Sequence, residues 1–186
     1  MREELAAAMR GALAAASNRP ARHLSKAEVD FLAPLSRLVA RGRSTVDRDG
    51  YSREINLVYA AEGPARVAQV LKEMLLALDR LGLPSGETNA IVRKLGLDSI
   101  PNLRRQALEY LLKDGEQHST TEVAIAIDHP TKTTHRTLED LAAHHLLTRT
   151  SQGAGKADLW QASESTVELW DQVSETETSV PMSGSS

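Results

Sequence analysis

Cationic and hydroxyl side chains follow one another in the segment TKTTHR, directly after a proline. The side chains that we expect at its surface belong to Thr131, Lys132, Thr133, His135 and Arg136. Groups of these types donate hydrogen bonds to phosphate oxygens and to acceptor atoms on base edges. Two more cations, Arg149 and Lys156, follow further along the chain. The pattern indicates binding of an anionic polymer, and no set of residues has the composition of a catalytic centre.

The glycine-rich segment before Lys156 resembles part of a phosphate-binding loop. That motif requires a glycine five positions before Gly155, where this chain has Thr150. It also requires Ser or Thr after the lysine, where this chain has Ala157. The segment lies between two predicted strands, whereas a phosphate-binding loop connects a strand to a helix. We therefore interpret residues 152–156 as a turn between strands and expect no nucleotide cofactor.

Five of the six histidines lie within 28 residues. They are His118, His129, His135, His144 and His145. Two ligands on one helix need a spacing of three or four residues, and the adjacent pair His144 and His145 points in different directions. The chain has no cysteine and no HExxH motif. We therefore expect histidines that face solvent or phosphate, and no metal site.

A helix, a turn and a longer helix position the TKTTHR segment. Ser119 and Glu122 form a capping box before a short apolar run, and Pro130 suits the first turn of the second helix. The residues of this second helix that recur at helical spacing on one face are Thr134, Leu138, Leu141 and Ala142. This spacing predicts a buried stripe, which turns the polar residues of the segment outward.

Two short strands should follow the second helix, at residues 147–151 and 158–161. We expect Trp160 in the core rather than at a stacking surface, because it ends a strand that packs on the helices.

The segment TLEDLAAHHLLTRT, a glycine hairpin carrying Lys156, and the closing Trp160 together resemble the winged helix-turn-helix superfamily. Many members have glycine where this chain has His145, because the helix ends there in a left-handed turn, which histidine tolerates better than most residues. The resemblance implies a recognition helix in the major groove and a basic wing on the neighbouring backbone. The DNA-binding residues that it implies are Thr131, Lys132, Thr133, His135 and Arg136 in the helix, and Arg149 and Lys156 in the wing.

The rest of the chain is predicted to be largely helical. Helices are expected over residues 2–17, from Ser25 to Gly42, from Pro64 to Gly82, from Ser85 onward, from Pro101 to Asp114, and over residues 164–173. Pro34 should kink the second of them or mark its true beginning. We predict a helical adaptor or dimerisation region at 1–84, a winged domain with a two- to three-stranded wing at 85–173, and a disordered tail at 174–186.

The segment FLAPLSRLVARGRSTVDRDGYSREI, followed by a long helix and the winged unit, resembles the C-terminal region of actinobacterial mobile-element and phage helicase-like ATPases. This resemblance implies a helical lid joined to a DNA-binding head. One of Arg43, Arg48 and Arg53 would then approach a nucleotide on a neighbouring subunit. Because this chain contains no phosphate-binding partner, we favour solvated loop arginines instead.

Charge is unevenly distributed along the 186 residues, whose net charge is −3. The five acidic residues from Glu164 onward have no Lys or Arg among them, so the first 163 residues carry +2. Between Arg19 and Arg53 there are eight basic residues and four acidic ones. No apolar run approaches the ~20 residues of a membrane span, and the absence of cysteine favours the cytoplasm.

These observations predict a protein without enzymatic activity that binds double-stranded DNA, as a transcriptional regulator or a replication accessory factor. The alternative is a protein-interaction lid or adaptor of a helicase-like ATPase encoded elsewhere. The candidate protein partners are a second copy of the chain, forming a homodimer, and that ATPase.

Overall fold

The computed structural model describes residues 2–17, 20, 22–60, 63–153 and 156–174. Within these ranges the fold is mostly helical with two small antiparallel sheets, which confirms the predicted fold class at that level. The helices are α1 (Arg2–Ser17), α2 (Lys26–Arg43), α3 (Pro64–Leu81), α4 (Ser85–Asp98), α5 (Asn102–Asp114), α6 (Thr120–Ala126), α7 (Thr131–Ala143) and α8 (Glu164–Ser174). The strands are β1 (Val46–Arg48), β2 (Ile55–Val58), β3 (His118–Ser119), β4 (Leu147–Thr150) and β5 (Leu159–Ala162). No helix in these ranges is long and apolar enough to cross a lipid bilayer.

Local signals determine where α2 and α3 begin and end. Ser25 and Glu28 form the predicted capping box, in which each side chain accepts a hydrogen bond from the other residue's backbone. Pro34 is an interior residue of α2, so the alternative that it begins the helix is wrong. Gly82 ends α3 in the left-handed conformation, with φ at 90°.

Proline directly precedes α4, α5 and α7. The helix predicted from Ser85 onward begins at Ser85, and Pro84 occupies its capping position. The ring of proline restricts its φ angle to a value that suits the residue before a helix. Proline also has no backbone N–H that would need a partner there. Pro101 and Pro130 occupy the same position before α5 and α7.

The two sheets are small and separate. Strands β1 and β2 form a hairpin, with Val46 opposite Val58. The second sheet has the order β3–β5–β4, and both of its pairings are antiparallel. Strand β3 precedes α6, whereas β4 and β5 follow α7, and the pairing of β4 with β5 places Arg149 opposite Trp160.

One cluster of buried apolar side chains extends through the described residues. It includes Leu35 and Leu38 of α2, Leu138 of α7, Trp160 of β5 and Val173 of α8. Helix α2 packs against both α3 and α8, and α5 packs behind α6 and α7. Contacts therefore cross the predicted boundary at residue 84, because α8 from the second predicted domain lies against α2 of the first.

The C-terminal prediction is only partly covered by the structure. Ser174, which was assigned to the tail, is instead the last residue of α8. The rest of the predicted tail, residues 175–186, lies outside the described residues.

Candidate nucleic-acid interface

The start of α6 is fixed by its capping box. The hydroxyl of Ser119 accepts from the Glu122 backbone N–H at 3.3 Å, and the Glu122 carboxylate accepts from the Ser119 N–H at 2.7 Å. The bond from the Ser119 backbone lowers the pKa of Glu122 below its usual value. Helix α6 ends near Asp128, which has a positive φ of 53°. A tight turn therefore connects α6 to α7.

Helix α7 buries the predicted stripe. Thr134, Leu138 and Leu141 are buried, and Ala142 packs against the same core. The residues predicted to bind DNA lie outside this stripe. Thr131, Lys132 and Thr133 are exposed, whereas His135 and Arg136 are half-buried.

Lys132 and Arg136 supply the permanent positive charge of this face. The side chains of Lys132 and Arg136 form no hydrogen bond or ion pair with any described residue. They lie four positions apart in the first two turns of α7, and so on the same side of the helix. This is the part of a helix that can approach base edges when the helix enters a groove.

His135 is less available than expected. Its ring meets Trp160 edge-on, with a centroid distance of 5.8 Å. Its Nδ1 lies 3.7 Å from Glu139, one turn further along α7. These contacts hold the imidazole against the helix, so His135 reaches solvent with only part of its side chain.

The hairpin formed by β4 and β5 carries the two predicted wing cations, which differ in their surroundings. Arg149 donates to the Asp158 carboxylate from Nη2 at 2.5 Å and from Nε at 2.9 Å, and it lies over the Trp160 ring. Lys156 is exposed beside Gly153, whose φ is 94°, and has no side-chain partner among the described residues. Ala154 and Gly155 of the predicted turn lie outside the described residues.

Trp160 is a core residue, as expected. Its side chain is fully buried, and its indole N–H donates to the Thr120 hydroxyl at 2.9 Å. Since Thr120 begins α6 and Trp160 lies in β5, this bond ties the helix pair to the sheet.

A network of two arginines around Asp140 was missed by the sequence analysis. Arg48 of β1 binds one carboxylate oxygen of Asp140 at 2.5 Å, and Arg104 of α5 binds the other at 2.8 Å. Arg48 also pairs with Glu139 at 3.0 Å. The expectation that Arg48 is a solvated loop arginine is wrong, because its side chain is only 16% exposed.

His144 also differs from the expectation of solvated histidines. It is 4% exposed, and its Nε2 lies 3.3 Å from the carbonyl oxygen of Thr45, to which it donates when protonated there. Burial lowers the pKa of His144 below its usual value, because it disfavours the charged form. In the described residues, no group of three metal-binding side chains comes together.

The burial of His144 predicts a pH dependence of stability. Above the ordinary histidine pKa of about 6.5, both the folded and the unfolded protein carry a neutral imidazole. Below it, the unfolded chain takes up a proton that the folded chain resists, so the free energy of unfolding falls as the pH falls. His144→Gln keeps an N–H donor, and we expect it to lose less stability than the wild type between pH 7.5 and 5.5.

Guanidinium unfolding followed by circular dichroism at both pH values measures this difference. His129→Gln, at an exposed position, is the matched control and should behave like the wild type. An equal loss of stability in wild type and His144→Gln would contradict the prediction.

Comparisons with known proteins give little information. No protein-family model matches this chain, and no curated protein matches it. A solved structure described as "Structure of Disulfide formed AbfR" is 16% identical, with a TM-score of 0.40, over 64% of this chain and 79% of that chain. Similarity at this level establishes neither a shared fold nor a shared function.

Proposed function

We propose that the protein binds duplex DNA through a winged helix-turn-helix made of α5, α6, α7 and the β3–β5–β4 sheet. In this proposal α7 is the recognition helix and the β4–β5 hairpin is the wing. The protein would act as a transcriptional regulator or a replication accessory factor.

One observation supports this proposal most directly. The carboxylates of Glu139 and Asp140 on α7 are paired with arginines of the protein, whereas Lys132 and Arg136 have no side-chain partner among the residues that the structure describes. Because these two carboxylates are already paired, they neutralise little of the positive charge on the N-terminal half of α7. Phosphates are attracted by such uncompensated cations, and long side chains there can reach base edges.

A salt titration tests whether the protein binds DNA as proposed. Lys132, Arg136 and Lys156 supply three proposed phosphate or base contacts, so the plot of log K against log salt should have a slope of about −3 per bound chain. A dimer on one duplex would roughly double this value. The stoichiometry comes from light scattering of the complex, and absence of duplex binding at 50–100 mM salt, roughly the range where phosphate contacts dominate, would contradict the proposal.

A second candidate function is a docking module for a protein, such as an ATPase encoded elsewhere. It is favoured by apolar side chains near the same elements: Ile125 on α6 is 76% exposed, and Tyr51 in the β1–β2 hairpin is 98% exposed. A docking module would show little duplex binding in the same titration.

Lys156 should contribute affinity without sequence preference. Lys156→Ala removes a proposed phosphate contact and leaves base edges untouched. Binding should weaken about equally on all duplexes, and the salt slope should become shallower by ~1. Lys26→Ala, an exposed lysine of α2, is the control and should leave both quantities unchanged. A selective loss on one sequence would show that Lys156 contacts bases.

A further inference from the structure

The β1–β2 hairpin lies against the C-terminal half of α7. Arg48 of β1 donates to the backbone carbonyl of Arg136 at 3.0 Å as well as to Asp140 and Glu139. A crevice of about 290 Å³ lies between Ile55 of β2 and Ala142. The hairpin therefore covers the turns of α7 that follow Lys132 and Arg136.

A single carboxylate connects four elements at this place. Asp140 on α7 holds Arg48 of the hairpin and Arg104 of α5, and its side chain is 17% exposed. Arg104 also donates to the carbonyl oxygens of Gly42 and Ser44, at the end of α2, at 3.2 and 2.5 Å. Removing this carboxylate would leave two half-buried arginines without their common partner.

The same carboxylate also determines local charge. Arg48 and Arg104 lie beside the surface of α7 that carries Arg136, and Asp140 with Glu139 neutralises them. Without Asp140, two guanidinium groups near the proposed DNA surface would lose part of their compensation. Phosphate would then be attracted to α7 regardless of base sequence.

We propose that Asp140 is a positioning residue that confers sequence selectivity on α7. It fixes the β1–β2 hairpin as a rigid boundary beside the helix, and this boundary limits base contact to the first two turns of α7. It also prevents Arg48 and Arg104 from binding phosphate. This inference rests on the proposed function.

The decisive variant is Asp140→Asn, which keeps the shape and removes the charge. We expect its affinity for a duplex of shuffled sequence to rise about two- to fivefold, with a salt slope steeper by ~1. Affinity for a duplex selected by the wild type from a random pool should fall. Discrimination, the ratio of the affinities for the selected and the shuffled duplex, should therefore drop about tenfold. A purely structural role would weaken binding to both duplexes, because destabilised protein binds neither well.

Two further variants separate charge from geometry. Arg48→Lys keeps the positive charge but cannot reach Asp140, Glu139 and the Arg136 carbonyl together. It should lower discrimination and leave the salt slope unchanged. Asp98→Asn removes an equal charge, also paired with two cations, from the end of α4, and should change neither quantity.

Hydrogen exchange supplies a readout that needs no DNA. Amides of residues 46–58 and of the C-terminal half of α7 should exchange faster in Asp140→Asn, and not in Asp98→Asn. Unchanged exchange, or unchanged discrimination by a folded Asp140→Asn, would overturn the inference. If the wild type binds no duplex while exchange changes as expected, the proposed function and the proposed selectivity fail together, and only the anchoring of the hairpin by Asp140 remains.

Discussion

Replacing Trp160 with alanine is expected to lower the free energy of unfolding by about 3–5 kcal/mol. The side chain is fully buried, and its loss would leave a cavity between the sheet and the helix pair. It would also leave the buried hydroxyl of Thr120 without the indole donor. For a chain of this size, the melting temperature should fall by roughly 10 °C. Guanidinium unfolding and thermal melts followed by circular dichroism measure both quantities.

The second tryptophan supplies the control for this prediction. Trp170 on α8 is only half-buried and lies under Arg93, with the guanidinium carbon 5.5 Å from the ring centroid. Trp170→Ala should therefore lower the free energy of unfolding clearly less than Trp160→Ala does. Trp160→Phe keeps most of the buried area, so its loss of unfolding free energy should lie between those of Trp170→Ala and Trp160→Ala. A cost below about 1 kcal/mol for Trp160→Ala would show that the site collapses around the missing ring.

Sequence reasoning succeeded where the determining interactions are local. The capping boxes at Ser25 and Ser119 each depend on residues three positions apart, so their pattern is visible in the sequence. The buried stripe of α7 depends only on helical spacing, and Thr134, Leu138 and Leu141 are buried as predicted. Such signals also predicted the mostly helical fold.

The polar contacts of the site depend instead on residues far apart in the chain. Arg48 and Asp140 are separated by 92 positions, and the tertiary fold alone brings them together. In the sequence, Arg48 lies in a polar turn and Asp140 in an amphipathic helix, where charged residues usually face solvent. Nothing in the residue types of Arg48 and Asp140 indicates that they form an ion pair. The burial of His144 beneath Thr45 was missed for the same reason.

Arg149 and Lys156, the two cations predicted to lie in a wing, show how such contacts change an expectation. From composition and position alone, Arg149 and Lys156 are predicted to be equivalent phosphate contacts. The structure pairs Arg149 with Asp158 across the hairpin and places it 4.0 Å from Glu139, whereas Lys156 has no partner among the residues described. A phosphate contact by Arg149 stays a prediction, but its charge is already opposed by two carboxylates. Lys156 is the more informative residue to mutate.

Arg136→Ala is expected to weaken binding to a preferred duplex by about 1–3 kcal/mol, a loss of roughly 5- to 150-fold. Arg136 is half-buried and lies one turn after Lys132 on α7, and its guanidinium has no partner in the described part of the chain. A guanidinium can donate two parallel hydrogen bonds to guanine, so its loss should relax sequence preference as well as affinity. Titration of a preferred duplex and of single-base variants measures both effects.

Charge and geometry at Arg136 are separated by Arg136→Lys, which keeps the charge but not the paired donors. It should retain most of the affinity for shuffled duplexes and lose much of the discrimination among single-base variants. Arg37→Ala, at an exposed position of α2, removes the same charge away from α7 and should leave discrimination unchanged. If Arg136→Ala keeps its fold by circular dichroism and binds the preferred duplex as tightly as the wild type, α7 does not contact bases through this residue. The docking module would then become the better explanation of this surface.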